Sequence, residues 1–297
     1  MYKIYADSCC DLPLEVIEKI NIGIIPLRYT IDGVEHVDDR KDDSIFVDFY
    51  DKMKKGAMTS TSQPTPEELN ELFTGSAEAG EGIIYIALSS AISGSYNTAC
   101  MMMQACKEKY PDAQIAVVDS LCASGGFGKL VLDVVARRDE GFSFEEIVDW
   151  AEENKLHYIH WFTVDDLDFL YRGGRVSKIS AKIGGILHLK PVLHVDNQGR
   201  LIKVGVARGR KAALAQLVKN TIEDIENSKV CAGKKQSVTV LHGNCPEDAK
   251  YCADELKKCP QISSVEINYI GPTIGSHSGP GTLAIFSFAD SREKKEN

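Results

Sequence analysis

Residues 82–88 read Gly-Ile-Ile-Tyr-Ile-Ala-Leu, an apolar run in which polar and apolar positions do not alternate. A strand with one wet face alternates, so this run reads as a strand covered on both faces, as in a parallel sheet between helical layers. Its surroundings agree. Residues 3–6, 22–29 and 115–118 read as further strands. Between them lie helical stretches: one opened by Asp11-Leu12-Pro13 and reaching about Ile20, one through Phe49, one after Pro66, one through Met103 and one from Ser124 through Val135. Strand alternating with helix predicts a parallel sheet for the first half. Near Asn154 the pattern changes. Strands at 158–164, 237–241, 265–270 and 283–288 mix with helices, and Asp196-Asn197-Gln198-Gly199 between two apolar runs reads as a hairpin. The expected fold class is α/β: an N-terminal parallel-sheet α/β/α domain over residues 1–155, and a C-terminal α+β domain with a largely antiparallel sheet over residues 156–297.

A chain of 297 residues exceeds one ordinary domain and accommodates two. No window approaches 18 consecutive apolar residues, so no membrane span is expected. The opening Met1-Tyr2-Lys3-Ile4-Tyr5-Ala6-Asp7 reads as a first strand rather than a secretory signal, and the expected location is the cytoplasm. Nine cysteines without a C-x-x-C pair point the same way, to free and mostly buried thiols. Cys245, Cys252 and Cys259, spaced by seven, are expected near one face of a helix. A net charge of −9 with no long basic run argues against nucleic-acid binding. A local Arg, His or helix N-terminus still accommodates an anion in such a chain.

Hydroxyls concentrate at Thr61-Ser62-Gln63-Pro64-Thr65-Pro66, just ahead of a helix. Thr65 with Glu68 forms a capping box, and Pro66 occupies the first helical position. Thr61 and Ser62 are therefore expected on a stiff turn that presents hydroxyls to a small polar group, although a plain helix entry uses the same residues. In open α/β sheets ligands bind where strands end and helices begin. Three polar loops follow strands here: Asp7-Ser8, residues 89–94, and Asp119-Ser120. Within the second, Gly94 lets a ligand reach the backbone at a helix start, and Ser93 either contacts that ligand or caps the helix. Residues 271–281 hold four glycines, two prolines and His277, and read as a long constrained loop in which His277 donates to a carboxylate or acts as a base. Other chemistries lack their motifs. Gly125-Gly126-Phe127-Gly128 has neither dinucleotide nor Walker spacing. Gly275-Ser276-His277-Ser278-Gly279 has His where a nucleophile elbow has Ser, and no H-E-x-x-H or similar metal pattern occurs.

Taken in order, these residues resemble the DegV family of bacterial lipid-binding proteins over nearly the whole chain. The resemblance is carried by Asp7-Ser8 with Asp11-Leu12-Pro13, by Thr61-Ser62-Gln63-Pro64, and by Ser89-Ser90 with Ser93-Gly94 and Tyr96. It continues through Asp119-Ser120 with Ser124, Gly126 and Gly128, Leu170 with Gly173-Gly174-Arg175, and Lys190-Pro191. It closes on Gly271-Pro272, Ile274-Gly275, His277 and Gly279-Pro280-Gly281. What it implies is a two-domain protein, without cofactor or metal, that buries one long-chain fatty acid such as palmitate between its domains. The carboxylate would sit among Thr61, Ser62, Ser93 and Gly94, with His277 nearby. A separate kinase would receive the presented acid and make an acyl phosphate. Ser95, Asn97 and Thr65 stand where the family usually has Thr, Gln and Ser, and they leave the head-group residues in place.

The resemblance thus implies a carrier rather than an enzyme. A Ser93–His277 pair acting in acyl transfer or ester hydrolysis is the competing expectation, weakened by the missing elbow and the missing third group. Arg172 and Arg175 on the glycine turn are candidates for docking a kinase, with helix capping or ion pairing as the common alternative. Ile183, Ile186, Leu187 and Phe286 are weak candidates for lining the acyl tail, and ordinary core packing is the favoured role for each.

Overall fold

The structure, a computed structural model, describes residues 2–40, 42–176 and 189–292. Strands β1 (Tyr2–Asp7), β2 (Gly23–Ile25), β6 (Gly82–Ala87) and β7 (Ile115–Asp119) form a parallel sheet in the order β2-β1-β6-β7. Every residue of β6 is buried, which is what its unbroken apolar run requires. Ile83 and Tyr85 face a core shared with Leu69 and Phe73 of α3 (Pro66–Glu78) and Ala99 of α4 (Ser95–Lys109). Ile84 and Ile86 face the opposite core, with Phe127 and Val131 of α5 (Ser124–Asp139) and Ile147 of α6 (Phe144–Asn154). The Thr65–Glu68 capping box forms, with Thr65 Oγ1 accepting from the Glu68 N–H at 3.2 Å, and a second caps α6, with Ser143 Oγ accepting from the Glu146 N–H at 3.2 Å. Helices α1 (Leu14–Ile20) and α2 (Phe46–Lys54) complete the first half.

One predicted strand is in fact two. Residues 22–29 break at Pro26, which has no N–H for the ladder. The chain leaves β2 there and enters β3 (Leu27–Ile31) of a separate antiparallel sheet, ordered β4-β3-β5, with β4 (Val34–Asp38) and β5 (Thr59–Ser62). Thr61 and Ser62 accordingly end a strand rather than forming a turn; Thr61 pairs with Tyr29 and Ser62 with Arg28. The polar sequence Thr-Ser-Thr-Ser carries no apolar alternation to announce this short strand.

The second half is built on six strands: β8 (Tyr158–Thr163), β9 (Leu189–Val195), β10 (Leu201–Arg208), β11 (Gln236–His242), β12 (Ile262–Tyr269) and β13 (Leu283–Phe288). Their order is β10-β9-β8-β13-β11-β12, antiparallel throughout except for the β11–β12 pair. Period-2 alternation divides the faces. Ile159, Trp161, Leu283 and Ile285 pack towards Leu217 of α8 (Arg210–Glu226) and Cys252 of α9 (Pro246–Leu256). Phe162, Ala284 and Phe286 point the other way, towards the first half. All nine cysteines are free. Of the three spaced by seven, Cys252 alone lies within α9; Cys245 caps it and Cys259 follows it, because Pro246 starts the helix late and the helix ends at Leu256. Among the described residues no helix is long and apolar enough to cross a membrane.

Residues 271–281 are the second correction. They hold the seven-residue helix α10 (Pro272–Ser278), with Gly271 as its N-cap and Pro272 at the first helical position. Gly279 ends it at φ +80°, a conformation that glycine adopts freely. The same glycines and prolines that suggested a loop are its start and stop signals.

Candidate functional site

Between the two large sheets lies a cavity of about 360 Å³. One wall comes from the ends of β5 and β6 and the start of α5; the other comes from the β8 and β13 face together with α10 and the short helix α7 (Asp168–Arg172). The wall is chemically two-ended. Thr61, Ser62, Ser93, Gly94, Arg175 and His277 supply polar groups, whereas Leu27, Leu88, Phe162, Leu170, Ala284 and Phe286 are buried and apolar. Ser62 and Gly94 are exposed, and Thr61, Ser93 and His277 half-buried, so the polar end opens to solvent. The residues expected to act together from three distant stretches of sequence do share one cavity.

The tightest polar contact joins two of those stretches. His277 Nε2 lies 2.7 Å from Thr61 Oγ1. Burial first, then the Arg175 guanidinium, pull the imidazole down to about 4, so His277 is neutral at pH 7. Gly173 makes room for it: a Cβ there would stand 2.2 Å from His277 Nδ1. Two residues on, Arg175 is half-buried in the cavity wall. Its Nε donates to the Ile92 carbonyl at 2.9 Å, and a second guanidinium nitrogen donates to the Gly173 carbonyl. Among the described residues no carboxylate pairs with it. A guanidinium at the mouth of a cavity, with its donors only partly used by neutral carbonyls, favours an anionic ligand.

Residues of the first half hold α10, and with it His277. The Gly271 N–H donates to Asp11 Oδ1 at 3.0 Å, Thr273 Oγ1 donates to Asp38 Oδ2 at 2.6 Å, and Thr59 Oγ1 donates to the Ser276 carbonyl at 3.0 Å. Tyr50 OH donates to the Ile270 carbonyl at 2.9 Å. Burial pushes the Asp11 carboxyl up to about 7 despite the nearby Arg40, and raises Asp38 as well.

Ser93 does not cap α4; Gly94 is the N-cap. Ser93 Oγ instead accepts from the Ser95 N–H at 3.2 Å and lies 2.9 Å from Ser95 Oγ. Among the described residues no hydrogen bond joins Ser93 to His277, whose partner is Thr61. No group of three or more His, Cys, Asp or Glu among the described residues has a metal-holding arrangement.

The sequence profile of the DegV family, whose description is "uncharacterised protein", matches residues 1–290. The chain belongs to the DegV family. A DegV domain-containing protein of Clostridium perfringens is 38% identical to it over 292 residues, covering 98% of this chain and 99% of the relative. Among solved structures, DegV from Bacillus subtilis, a fatty acid binding protein, is 31% identical with a TM-score of 0.80, over 97% of this chain and 99% of that one. A stearic acid-binding protein from Eubacterium ventriosum is 27% identical with a TM-score of 0.83, over 97% of this chain and 98% of that one. The DegV fold is therefore shared along nearly the full length.

Sequence reasoning placed Arg172 and Arg175 together, and the structure separates them. Arg172 is exposed, stacks over the Phe169 ring at 4.8 Å and approaches Met58 Sδ at 3.4 Å. Arg175 turns into the cavity instead. Phe286 is packed in the core and also lines the cavity. Ile183, Ile186 and Leu187 lie outside the described residues. Gln63 also lines the cavity, and Gly94 accommodates it, because a Cβ there would stand 2.2 Å from Gln63 Oε1.

Proposed function

We propose that this protein is a non-catalytic carrier that buries a long-chain fatty acid between two domains divided near residues 155 and 156. The observation that carries it is the two-ended cavity. An apolar interior closes on buried side chains of both sheets, and hydroxyls, a neutral imidazole and a guanidinium with no acidic partner among the described residues surround the mouth. A carboxylate accepts hydrogen bonds from Thr61, Ser62, Ser93 and the Gly94 backbone, with His277 behind Thr61 and Arg175 compensating the charge. The tail supplies most of the affinity. At roughly 0.8 kcal/mol per CH₂, about fourteen methylenes contribute on the order of 11 kcal/mol before ordering losses. A volume of about 360 Å³ lies within the range of small-molecule sites. The fatty-acid ligands of the B. subtilis and E. ventriosum relatives support the same ligand class.

The exposed mouth also supports presentation to a second protein, a kinase that forms the acyl phosphate. Ser62 and Gly94 leave the carboxylate within reach of a docked partner, and exposed Arg172 lies on the α7 segment beside that mouth. The test is native mass spectrometry of purified protein, followed by titration of stearate into delipidated protein. A co-purified fatty acid and saturable binding support the carrier. A lipid-free protein that does not take up stearate refutes it.

A further inference from the structure

Ser278 is 5% exposed and lines the cavity, yet its Oγ has no hydrogen-bond partner among the described residues. The other polar side chains of the inner wall are satisfied. Ser124 Oγ donates to Asp11 at 2.6 Å, Thr273 Oγ1 donates to Asp38 at 2.6 Å, and Thr282 Oγ1 donates to the Ser278 and Gly279 carbonyls at 2.8 Å each. His160 uses both ring nitrogens, one against the Tyr158 carbonyl at 2.8 Å and the other accepting from the Ala123 N–H at 3.2 Å. Thr163, Ser276 and Ser287 also have unpartnered hydroxyls, but none of them lines the cavity.

Buried hydroxyls are rarely left unpaired, because desolvation without a replacement bond is unfavourable. The position of Ser278 matters as much as its burial. The Thr282 bonds fix it beside the start of β13, whose Ala284 and Phe286 form the apolar wall, whereas the mouth residues Ser62 and Gly94 are exposed. A saturated hydrocarbon tail passing Ser278 leaves the hydroxyl without a partner. A tail with an oxygen at that depth satisfies it.

We propose that the cavity accepts a fatty acid whose chain carries a hydroxyl or keto oxygen, and that Ser278 recognises it. The inference rests on the fatty-acid reading and refines its ligand. Ser278 Oγ donates to a keto or hydroxyl oxygen, or accepts from a hydroxyl, so both substituents meet one chemistry. Head-group contacts hold the carboxylate in place, so only a narrow range of substituent positions brings the oxygen to Ser278.

The experiment titrates delipidated full-length protein with stearate and with stearates carrying a hydroxyl or keto group at successive positions along the chain. One or two adjacent positions should bind about fivefold or more tightly than stearate, as one added neutral hydrogen bond implies. Ser278→Ala should abolish that gain and at the same time bind stearate more tightly than the wild type, because no hydroxyl is left stranded. A purely structural role gives no such opposite movement. If no position exceeds stearate by about twofold, or if the gain survives in Ser278→Ala, the proposal is wrong while the carrier reading stands. If neither stearate nor any substituted chain binds, the carrier reading fails and this inference fails with it.

Discussion

Thr61→Val is the sharpest probe of the head-group site. The substitution keeps the β-branched shape at the end of β5 and removes only the hydroxyl that lies 2.7 Å from His277 Nε2. Two losses follow. The carboxylate loses a charge-assisted hydrogen bond, for which about 1.5–3 kcal/mol is typical, and His277 loses its Thr61 partner. At about 1.4 kcal/mol per decade, the affinity for stearate should fall roughly 10- to 150-fold. Stability should change much less. His277 is half-buried at a wet cavity, so water replaces Thr61 in the unliganded protein, and a change of about 1 kcal/mol moves the melting temperature by only about 2–4 °C. Isothermal titration with stearate and thermal denaturation of the delipidated protein give both numbers. An affinity within about twofold of wild type would remove Thr61 from the site. A collapse of thermal stability would make the Thr61–His277 contact structural.

Arg175→Met should weaken stearate binding about tenfold and remove most of its ionic-strength dependence, read by titration at two salt concentrations. Gly126→Ala should destabilise the fold by about 1–3 kcal/mol in denaturant titration, since a Cβ at Gly126 would stand 2.3 Å from His160 Nε2 inside a packed interface; a more stable variant contradicts this. The dependence of stability on pH tests the buried charges. Burial holds His277 and His242 at about 4 and lowers His160, so these groups stay neutral in the fold and stability is lost as pH falls below about 6.5. Burial raises Asp7 and Asp11 to about 7 and raises Asp38, so these groups favour the fold on acidification and lose stability as pH rises above about 4. The two slopes oppose each other between about pH 4 and 6.5. Asp7→Asn removes one raised acid and should make stability fall on acidification by up to about 1.4 kcal/mol more per pH unit than in the wild type. An unchanged slope would mean that Asp7 is ionised in the fold.

The sheets were legible because burial on two faces, or on one, leaves a periodicity in the sequence. The all-apolar 82–88 run and the alternation in β8 and β13 each encode where side chains must go. Thr61, Ser93 and His277 were legible only as polar residues at element ends, and their meeting depends on long-range packing that no local pattern records. What was misread has local causes. Pro26 falls inside the strand that residues 22–29 suggest, yet it has no N–H to give, and it is where the chain changes sheets. Residues 271–281 read as a loop because four glycines outweigh a pattern of about two turns, yet Pro272 and Gly279 mark a helix start and stop. Arg175 and Arg172 group by proximity in sequence, whereas across the glycine turn Arg175 lines the cavity and Arg172 lies over the Phe169 ring.

Helix α10 is too short to be stable by itself, with seven residues for a nucleation penalty that usually needs about twelve or more to overcome. Its place is set by partners outside it. Asp11, Asp38 and Thr59 of the first half bind its backbone or side chains, and Tyr50 binds the carbonyl just before it. His277 therefore belongs to the second half by sequence and to the first half by support. The polar cluster that joins Thr61 to His277 needs both halves docked, whereas the six-stranded sheet keeps its own core against α8 and α9. Buried carboxylates whose pKa values burial raises suit this role, because Asp11 accepts from the Gly271 N–H and Asp38 from the Thr273 hydroxyl, and neither lines the cavity beside them. The mouth can thus hold a guanidinium for the ligand's carboxylate while the acids that position His277 stay turned away from it, bonded to α10 and to Ser124.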